Sequence, residues 1–90
     1  MAVTVEFEND RLRVLRARHS SREKHPPISR GDRLIIYLND GHIRRVNKAG
    51  SHQPEEIRRK LGDVVWRDRS QHQTENLKET NHEVIIVELK

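Results

Sequence analysis

The apolar residues of this chain are gathered into short runs that are separated by turn residues. Near the start, Val3, Val5 and Phe7 alternate with polar residues, which is the period-two pattern of an edge strand. Continuous apolar runs follow at residues 34–38 and 84–87. Runs of this length predict strands, and neither a long helix nor a sequence repeat interrupts them. The pattern therefore predicts an all-β barrel or sandwich of roughly eight short strands.

Turn signals separate the predicted strands. The apolar run 34–38 is followed by Asn-Asp-Gly at residues 39–41, and a strand pattern resumes at residues 42–46, which together predict a hairpin. Residues 48–51 predict a second turn. The segment 20–33 contains prolines and a glycine among mostly polar residues, so we expect it to be irregular and exposed, with room to fold over a barrel mouth.

Residues 11–19 form the second predicted strand, and their apolar positions change sides. Leu12 and Val14 share one parity, whereas Leu15 and Ala17 share the other. Because successive side chains point to opposite faces of a strand, this switch predicts a bulge or a twist near Val14 and Leu15.

Residues 54–61 carry signals for both kinds of secondary structure. A proline at the first position, acidic residues before basic ones and a closing Gly62 favour a short helix. The alternation of Ile57, Arg59 and Leu61 suits a strand. The local pattern leaves both interpretations open.

The composition limits the size of the hydrophobic core. The chain has 90 residues, of which 32% are hydrophobic and 36% are charged, with only Phe7, Tyr37 and Trp66 as aromatics. A chain of this length forms one domain, residues 1–90, with a modest core. We therefore expect an association that buries more surface, so the predicted assembly is a homodimer.

Several classes of protein are excluded by what the sequence lacks. There is no cysteine, so neither a disulfide framework nor a thiolate metal site is available. No apolar run approaches the roughly 18 residues that cross a bilayer, and the first residues lack the layout of a signal peptide. We expect no membrane partner and a cytoplasmic location.

The formal net charge is +4, from 18 Lys and Arg against 14 Asp and Glu. Such an excess suits contact with nucleic acid or with a small anion. However, the bases in residues 11–18 are interleaved with apolar residues, as on the solvated side of a half-buried strand. The aromatics are scattered and no reading helix is predicted, so we expect no nucleic-acid partner.

The stretch 62–76 has a distinctive layout. A glycine turn and a short apolar strand lead to a polar turn, after which His72 precedes Asn76 by four residues. This stretch resembles the second signature of the cupin family. Together with residues 37–41 and the closing strand, the resemblance extends from about residue 12 to residue 89.

The resemblance implies a double-stranded β-helix, which is the cupin-like jelly-roll barrel, with a metal ion inside it. It also implies that the segment between the two cupin signatures is strand, so a strand is favoured for residues 54–61. Gly41 fits the last glycine of the first signature. Counting back from Gly41 puts Leu34 at the glutamate position, and Ile28 and Arg30 at the two histidine positions.

Three of the four metal ligands that the resemblance implies are therefore absent, and His72 is the one present. A catalytic metal site needs about three protein ligands and an open position. An inward Arg30 would repel a divalent cation and offer a planar fork of donors to a carboxylate or a phosphate. We expect no metal and no other cofactor, and we assign no catalytic residue.

The resemblance and these departures favour a non-catalytic domain that binds a small molecule at the barrel mouth, with an anion favoured by Arg30. The predicted ligand-binding residues are Ile28, Arg30, Leu34, Trp66 and His72. The alternative is a metal-dependent cupin enzyme of the dioxygenase or isomerase type. In that case His72 would act with nonstandard ligands, such as His19 or His25.

Structural roles compete with these functional ones. His72 could be a hydrogen-bonded histidine of the barrel, Trp66 a core anchor and Arg30 a solvated loop residue. Asn76 is expected to stabilise the end of its strand or turn. The histidines in polar surroundings, which carry no functional signal, are His42, His52 and His82.

Overall fold

Every regular element of the described chain is a β-strand. The computed structural model describes residues 1–47 and 53–90, so His52 and the turn predicted at residues 48–51 lie outside the described residues. The strands are β1 (Ala2–Glu8), β2 (Leu12–His19), β3 (Ile28–Arg30), β4 (Arg33–Tyr37), β5 (Gly41–Asn47), β6 (Glu55–Arg59), β7 (Val64–Arg67), β8 (Ser70–Asn76) and β9 (His82–Leu89). Within the described ranges, no helix is long and apolar enough to cross a membrane.

The strands form two antiparallel sheets whose inner faces enclose the interior. One sheet has the order β1-β2-β9-β4-β7, and the other has the order β3-β8-β5-β6. Neighbouring strands come from distant parts of the chain, since β9 lies between β2 and β4, and β8 lies between β3 and β5. This arrangement confirms the predicted all-β jelly-roll barrel.

The predicted hairpin at residues 39–41 is a turn between sheets. β4 and β5 lie in different sheets and do not pair with each other. The side chain of Asn39 explains the difference, because its amide donates to the carbonyl of Asn81 and its oxygen accepts from the backbone of Glu83. These bonds anchor the turn to the start of β9, so the chain crosses the end of the barrel here.

The segment 54–61 contains strand β6, as the resemblance implied and against the local helix signals. Ile57 is 5% exposed and pairs with Ile43 of β5. Glu55 and Glu56 lie opposite Arg45 and Arg44, which also belong to β5. A helix would lose this antiparallel ladder and expose Ile57. Tertiary pairing therefore outweighs a weak local preference.

The irregularity predicted near Val14 and Leu15 occurs in the partner strand. β2 pairs with β9 without interruption from Leu12 to His19. The register shift lies in β1, between Val5 and Phe7, opposite Leu15 and Val14. β2 therefore keeps a strict alternation that turns Leu15 inward and Val14 outward.

The hydrophobic core is small and belongs mainly to the five-stranded sheet. Its buried members are Leu15, Ala17, Tyr37, Val84 and Ile86. Much of the remaining interior is polar, because strand alternation also turns histidines, arginines and a carboxylate inward. The buried polar residues are His19, His25, Arg33, His72, Thr74, Asn76, His82 and Glu88.

Asn76 closes one end of the barrel. It is fully buried, its amide group donates to the carbonyls of Ser20 and Thr80, and its oxygen accepts from the backbone of Lys78. The expected role of Asn76 at a strand end agrees with these bonds. A single side chain thus joins the loop after β2 to the loop before β9.

Gly41 packs directly against the rings of Tyr37 and His82, and this contact gives a test of the fold. A Cβ atom at this position would lie 2.8 Å from Tyr37 Cε2 and 3.0 Å from His82 Cε1. Both rings are buried, so we expect Gly41→Ala to lower the free energy of unfolding by about 1–3 kcal/mol in urea denaturation. Ser29→Ala, on an exposed strand position, is the control and should change it by less than about 0.5 kcal/mol. Equal effects of the two substitutions would contradict the packing described.

Candidate functional site

A cavity of about 70 Å³ lies between the inner faces of the two sheets. Its lining contains two groups of polar side chains. The guanidinium cluster consists of Arg30, Arg33, Arg45 and Arg67. The histidine row consists of His72, His25, His19 and His82. No carboxylate belongs to the described part of the lining.

Strand pairing brings the guanidinium cluster together. Arg33 of β4 lies directly opposite Arg67 of β7, on the inner face of the five-stranded sheet. From the other sheet, Arg30 pairs with Ser70 and Arg45 pairs with Thr74. Residues from four strands therefore converge on one end of the cavity.

Arg33 is the most deeply buried member of the cluster, with 2% of its surface exposed. Its guanidinium donates to the carbonyls of Gly31 and Asp68, at 3.0 and 3.2 Å, and to Ser70 Oγ at 3.2 Å. All three acceptors are neutral. Burial, followed by the neighbouring charges of Arg45 and Arg30, lowers the pKa of Arg33 to about 10. Arg33 is still a cation at neutral pH, and it lies in a region of net positive charge.

The Ser70 hydroxyl connects the cluster to His72. Its oxygen lies 3.2 Å from Arg33 Nη2, 3.0 Å from Arg45 Nη2 and 3.2 Å from His72 Nδ1. Because guanidinium groups only donate, the Ser70 oxygen accepts twice and its own hydrogen is directed at His72 Nδ1. His72 then carries its proton on Nε2. Burial, with Arg33 and Arg45 as the next causes, lowers the pKa of His72 to about 3.

Glu88 is a buried carboxylate close to this cationic end. It accepts from Arg13 at 2.7 Å and from the Gly31 backbone at 2.9 Å, and it lies 4.0 Å from Arg30. Burial raises the pKa of Glu88, but the bonds from Arg13 and Gly31 and the charge of Arg30 outweigh it, so the pKa is lowered overall. Glu88 is therefore ionised and already shared by several donors.

His25 has a structural role within the histidine row. Its Nδ1 donates to the Pro26 carbonyl at 2.6 Å, and its Nε2 accepts from the Thr74 backbone at 3.1 Å. Both ring nitrogens are used, and burial lowers the pKa of His25. The segment 20–33 is thus mostly irregular, as predicted, but it is not wholly exposed, since His25 is buried against β8.

The described residues do not fit the metal centre that the resemblance implies. They contain no group of three or more His, Cys, Asp or Glu placed to hold a metal ion. Nδ1 of His72 is bonded to Ser70, and both nitrogens of His25 are occupied. The guanidinium cluster around His72 would repel a divalent cation.

The five predicted ligand-binding residues divide into two sets. Ile28, Arg30 and His72 all line the cavity, and Ile28 lies directly opposite His72. Leu34 and Trp66 pair with each other on the outer face of the other sheet, 37% and 49% exposed. The prediction that Leu34 and Trp66 lie at the cavity was therefore wrong. The alternative that Trp66 is a core anchor was also wrong, because its side chain is exposed.

A one-residue offset explains this correction. Side chains alternate along β4 and β7, so the inward neighbours of Leu34 and Trp66 are Arg33 and Arg67. Counting back from Gly41 ignores the turn geometry between Tyr37 and Gly41 and therefore reaches the wrong face. The inward direction of Tyr37 would have identified Arg33, four residues earlier on the same face.

Sequence reasoning also missed His82, which was expected in polar surroundings. It is 3% exposed, lies directly opposite His19 and contacts the ring of Tyr37 at a centroid distance of 5.4 Å. The available signal was alternation along β9, because His82 shares a parity with the buried Val84 and Ile86.

The buried histidines predict an acid-sensitive fold. Burial, the first cause in each case, lowers the pKa of His19 and His82 to about 4 and that of His72 to about 3, from 6.5. The unfolded chain binds protons below about pH 6.5 while the folded chain does not, so stability is lost as the pH falls from 6.5 towards 4. We expect each histidine to contribute ~1–3 kcal/mol to this loss.

Urea unfolding at about pH 7.5 and about pH 5 measures this loss. His42→Gln is the control, because His42 is partly exposed and bonded to Glu56, and the pH dependence should survive the substitution. A urea midpoint that does not fall between the two pH values would contradict the neutral burial of the histidine row.

No protein-family model matches the sequence, and no curated protein matches it significantly. Solved structures match it closely in shape. A cupin domain protein from Bordetella pertussis Tohama I superposes with a TM-score of 0.88 at 18% sequence identity, covering 99% of this chain and 92% of that one. A cupin superfamily protein from Desulfitobacterium hafniense DCB-2 superposes with a TM-score of 0.71 at 14% identity, covering 98% and 75%.

A third match is an RmlC-like cupin family protein with a double-stranded β-helix fold, from Methanocaldococcus jannaschii. It superposes with a TM-score of 0.75 at 13% identity, and the match covers 98% of this chain and 78% of that one. Structural matches at this level of sequence identity establish a common fold, but they do not establish a common chemical function. The chain therefore has the cupin fold, the double-stranded β-helix.

Proposed function

We propose that this cupin-fold chain is a non-catalytic domain that binds a small anion between the guanidinium cluster and His72. The observation that carries the proposal is the state of Arg33. It is buried, it remains a cation near neutral pH, and its hydrogen bonds within the described residues go to neutral oxygens. A buried charge is costly unless a partner of opposite sign compensates it.

The charge balance around the cavity supports an anionic ligand. Two carboxylates of the described residues act on the four members of the guanidinium cluster: Glu88, which is also bonded to Arg13, and Glu55, which lies opposite Arg45 on β6. Burial lowers the pKa of Arg30 and of Arg45, in agreement with cations that lack enough counter-charge. A bound carboxylate or phosphate would compensate this excess through charge-assisted hydrogen bonds.

His72 supports the same ligand in a neutral role. Its Nδ1 accepts from Ser70, so its remaining group is the Nε2 hydrogen, which is a donor. A donor suits an anionic oxygen and does not suit a metal ion. The pKa of about 3 also makes His72 a weak general base near neutral pH, which supports binding without catalysis.

The size of the cavity limits the ligand. Sites for drug-sized molecules commonly enclose about 300–1,000 Å³. The cavity of about 70 Å³ is much smaller, and Ile28 narrows it beside His72. We therefore propose an inorganic oxyanion or a short carboxylate as the ligand class.

Titration with inorganic phosphate, followed by calorimetry and by thermal unfolding, tests the proposal. We expect phosphate to bind and to raise the unfolding temperature, and we expect Arg45→Gln to weaken binding by roughly tenfold or more. Arg45→Gln should also stabilise the phosphate-free protein, because it removes a buried cation from a cationic group. If Arg45 had only a structural role, Arg45→Gln would destabilise the protein both with and without phosphate.

Arg58→Gln is the matched control, since Arg58 lies on the exposed side of β6 with 74% of its side chain accessible. It should leave phosphate affinity within about twofold of the unsubstituted chain. If phosphate, sulfate and acetate all fail to bind the unsubstituted chain, the proposed function is wrong. If Arg45→Gln and Arg58→Gln weakened phosphate binding equally, the binding would depend on the overall surface charge and not on the guanidinium cluster.

A further inference from the structure

His19 and His82 form a second polar surface in the same cavity, here called the histidine end. The two residues lie directly opposite each other on β2 and β9, with 5% and 3% of their surfaces exposed. Within the described residues, neither ring nitrogen of His19 has a hydrogen-bond partner, and His82 Nδ1 has none. The ring centroids are 5.8 Å apart.

Three buried ring nitrogens without partners point to a ligand group. Buried polar atoms in native proteins are nearly always paired, and an exception needs a specific explanation. The described lining supplies no hydrogen bond to these nitrogens. Ala17 and Val84 are apolar, and His25 has both nitrogens occupied. The Tyr37 hydroxyl and the Met1 ammonium also belong to the lining, but neither bonds to these nitrogens, and the ammonium is bonded to Glu23. The group that completes the histidine end must therefore enter the cavity.

The chemistry of the pair selects an uncharged group that both donates and accepts. A neutral imidazole presents one N–H donor and one acceptor nitrogen, so the pair offers both kinds of partner. A cationic group is disfavoured because no carboxylate belongs to the described lining and the N-terminal ammonium of Met1 already lies close to His19. A hydroxyl group satisfies both requirements.

The histidine row connects this end to the proposed anion site. His72 and His25 have centroids 6.0 Å apart, and His25 and His19 have centroids 5.2 Å apart. His25 lines the cavity between the two ends and offers a ligand no free ring nitrogen, since both of its nitrogens are bonded to the protein. A ligand in this cavity can thus present its charge to the arginines and another group to His19 and His82.

We infer that the ligand is a short hydroxy acid, with its carboxylate at the guanidinium cluster and its hydroxyl at the histidine end. This inference rests on the proposed function and narrows its ligand class. The hydroxyl donates to one imidazole nitrogen and accepts from another, which satisfies two of the three unpartnered nitrogens of His19 and His82.

Matched pairs of acids test the inference. Glycolate is compared with acetate, and 3-hydroxypropanoate with propanoate, by calorimetric titration of the whole chain. We expect the hydroxy acid of at least one pair to bind about tenfold more tightly than its partner. His19→Leu should abolish this preference while leaving acetate affinity within about twofold.

A second measurement uses the unsubstituted protein, in case His19→Leu fails to fold. In nitrogen-15 NMR spectra, the preferred hydroxy acid should shift the ring nitrogens of His19 and His82, and its deoxy counterpart should not. Equal affinities within both pairs, or unshifted ring nitrogens, would overturn the inference. If phosphate still binds in that case, the anion site stands and only the hydroxyl assignment fails.

A separate observation concerns the outer face of the five-stranded sheet. The register aligns five apolar residues in one row across all five strands: Phe7, Val14, Val87, Leu34 and Trp66. A neighbouring row contains three more, namely Ile85, Ile36 and Val64. These two rows define the outer apolar face.

The outer apolar face is unusually accessible for a chain with 32% hydrophobic residues. Phe7, Val64 and Trp66 are 54%, 60% and 49% exposed. Over the two rows of the outer apolar face, the exposed apolar area is on the order of 500 Å². Monomeric proteins rarely expose a continuous apolar patch much larger than a few hundred Å².

A second copy of the chain fits this face best. Two such faces would bury on the order of 1,000 Å² in total, which is the lower range for a specific interface. The charges beside the face are already paired within the chain, through Arg16 with Glu6 and Glu83, and Arg18 with Glu83. The face therefore has little net charge to recruit an acidic or basic partner, whereas apolar sheets stack readily.

We propose that two copies associate through the outer apolar face, independently of any ligand. Sedimentation equilibrium should detect a dimer, and dilution should shift the emission of Trp66, the sole tryptophan, to longer wavelength. Leu34→Arg should make the chain monomeric. Leu61→Arg is the matched control, because Leu61 is 67% exposed in the turn after β6 and lies off the face, so the dimer should persist.

A monomer up to millimolar concentration, with a concentration-independent Trp66 emission, would overturn the association. So would a dimer that survives Leu34→Arg but dissociates on Leu61→Arg, because the contact would then lie elsewhere.

Discussion

The alternation of side chains along antiparallel strands is the constraint on which this structure depends. In β4 it turns Arg33 into the barrel and Leu34 out of it, and in β7 it does the same for Arg67 and Trp66. The strands are held in this register by a continuous ladder through β9. A slip by one residue would exchange the contents of the inside and the outside, because the period of a strand is two.

This alternation gives the domain a polar interior and an apolar exterior face. The buried core is small, and much of the interior is occupied by imidazole and guanidinium groups that are costly to bury. Local bonds offset part of that cost, and the Ser70 hydroxyl is the main example, since it serves Arg33, Arg45 and His72 together. The remaining excess of positive charge is the basis of the proposed anion site.

Apolar runs and turn residues predicted most of the strands, because they report local structure directly, and the resemblance carried by residues 62–76 implied the cupin fold. It also identified Ile28, Arg30 and His72 as a group that the fold brings together. It failed for Leu34, because a count along the chain carries no information about which face a residue occupies across a turn. His82 was missed because its surroundings are set by its partner strand, and its sequence neighbours are polar.

The bonds of Asn76 couple the two backbone segments that flank the imidazole pair of His19 and His82. One carboxamide holds the segment after His19 and the segment before His82 at once, so neither segment can swing outward alone. The two backbone segments beside the buried imidazole pair are thus fixed to each other, and this coupling limits how far that end of the cavity can open.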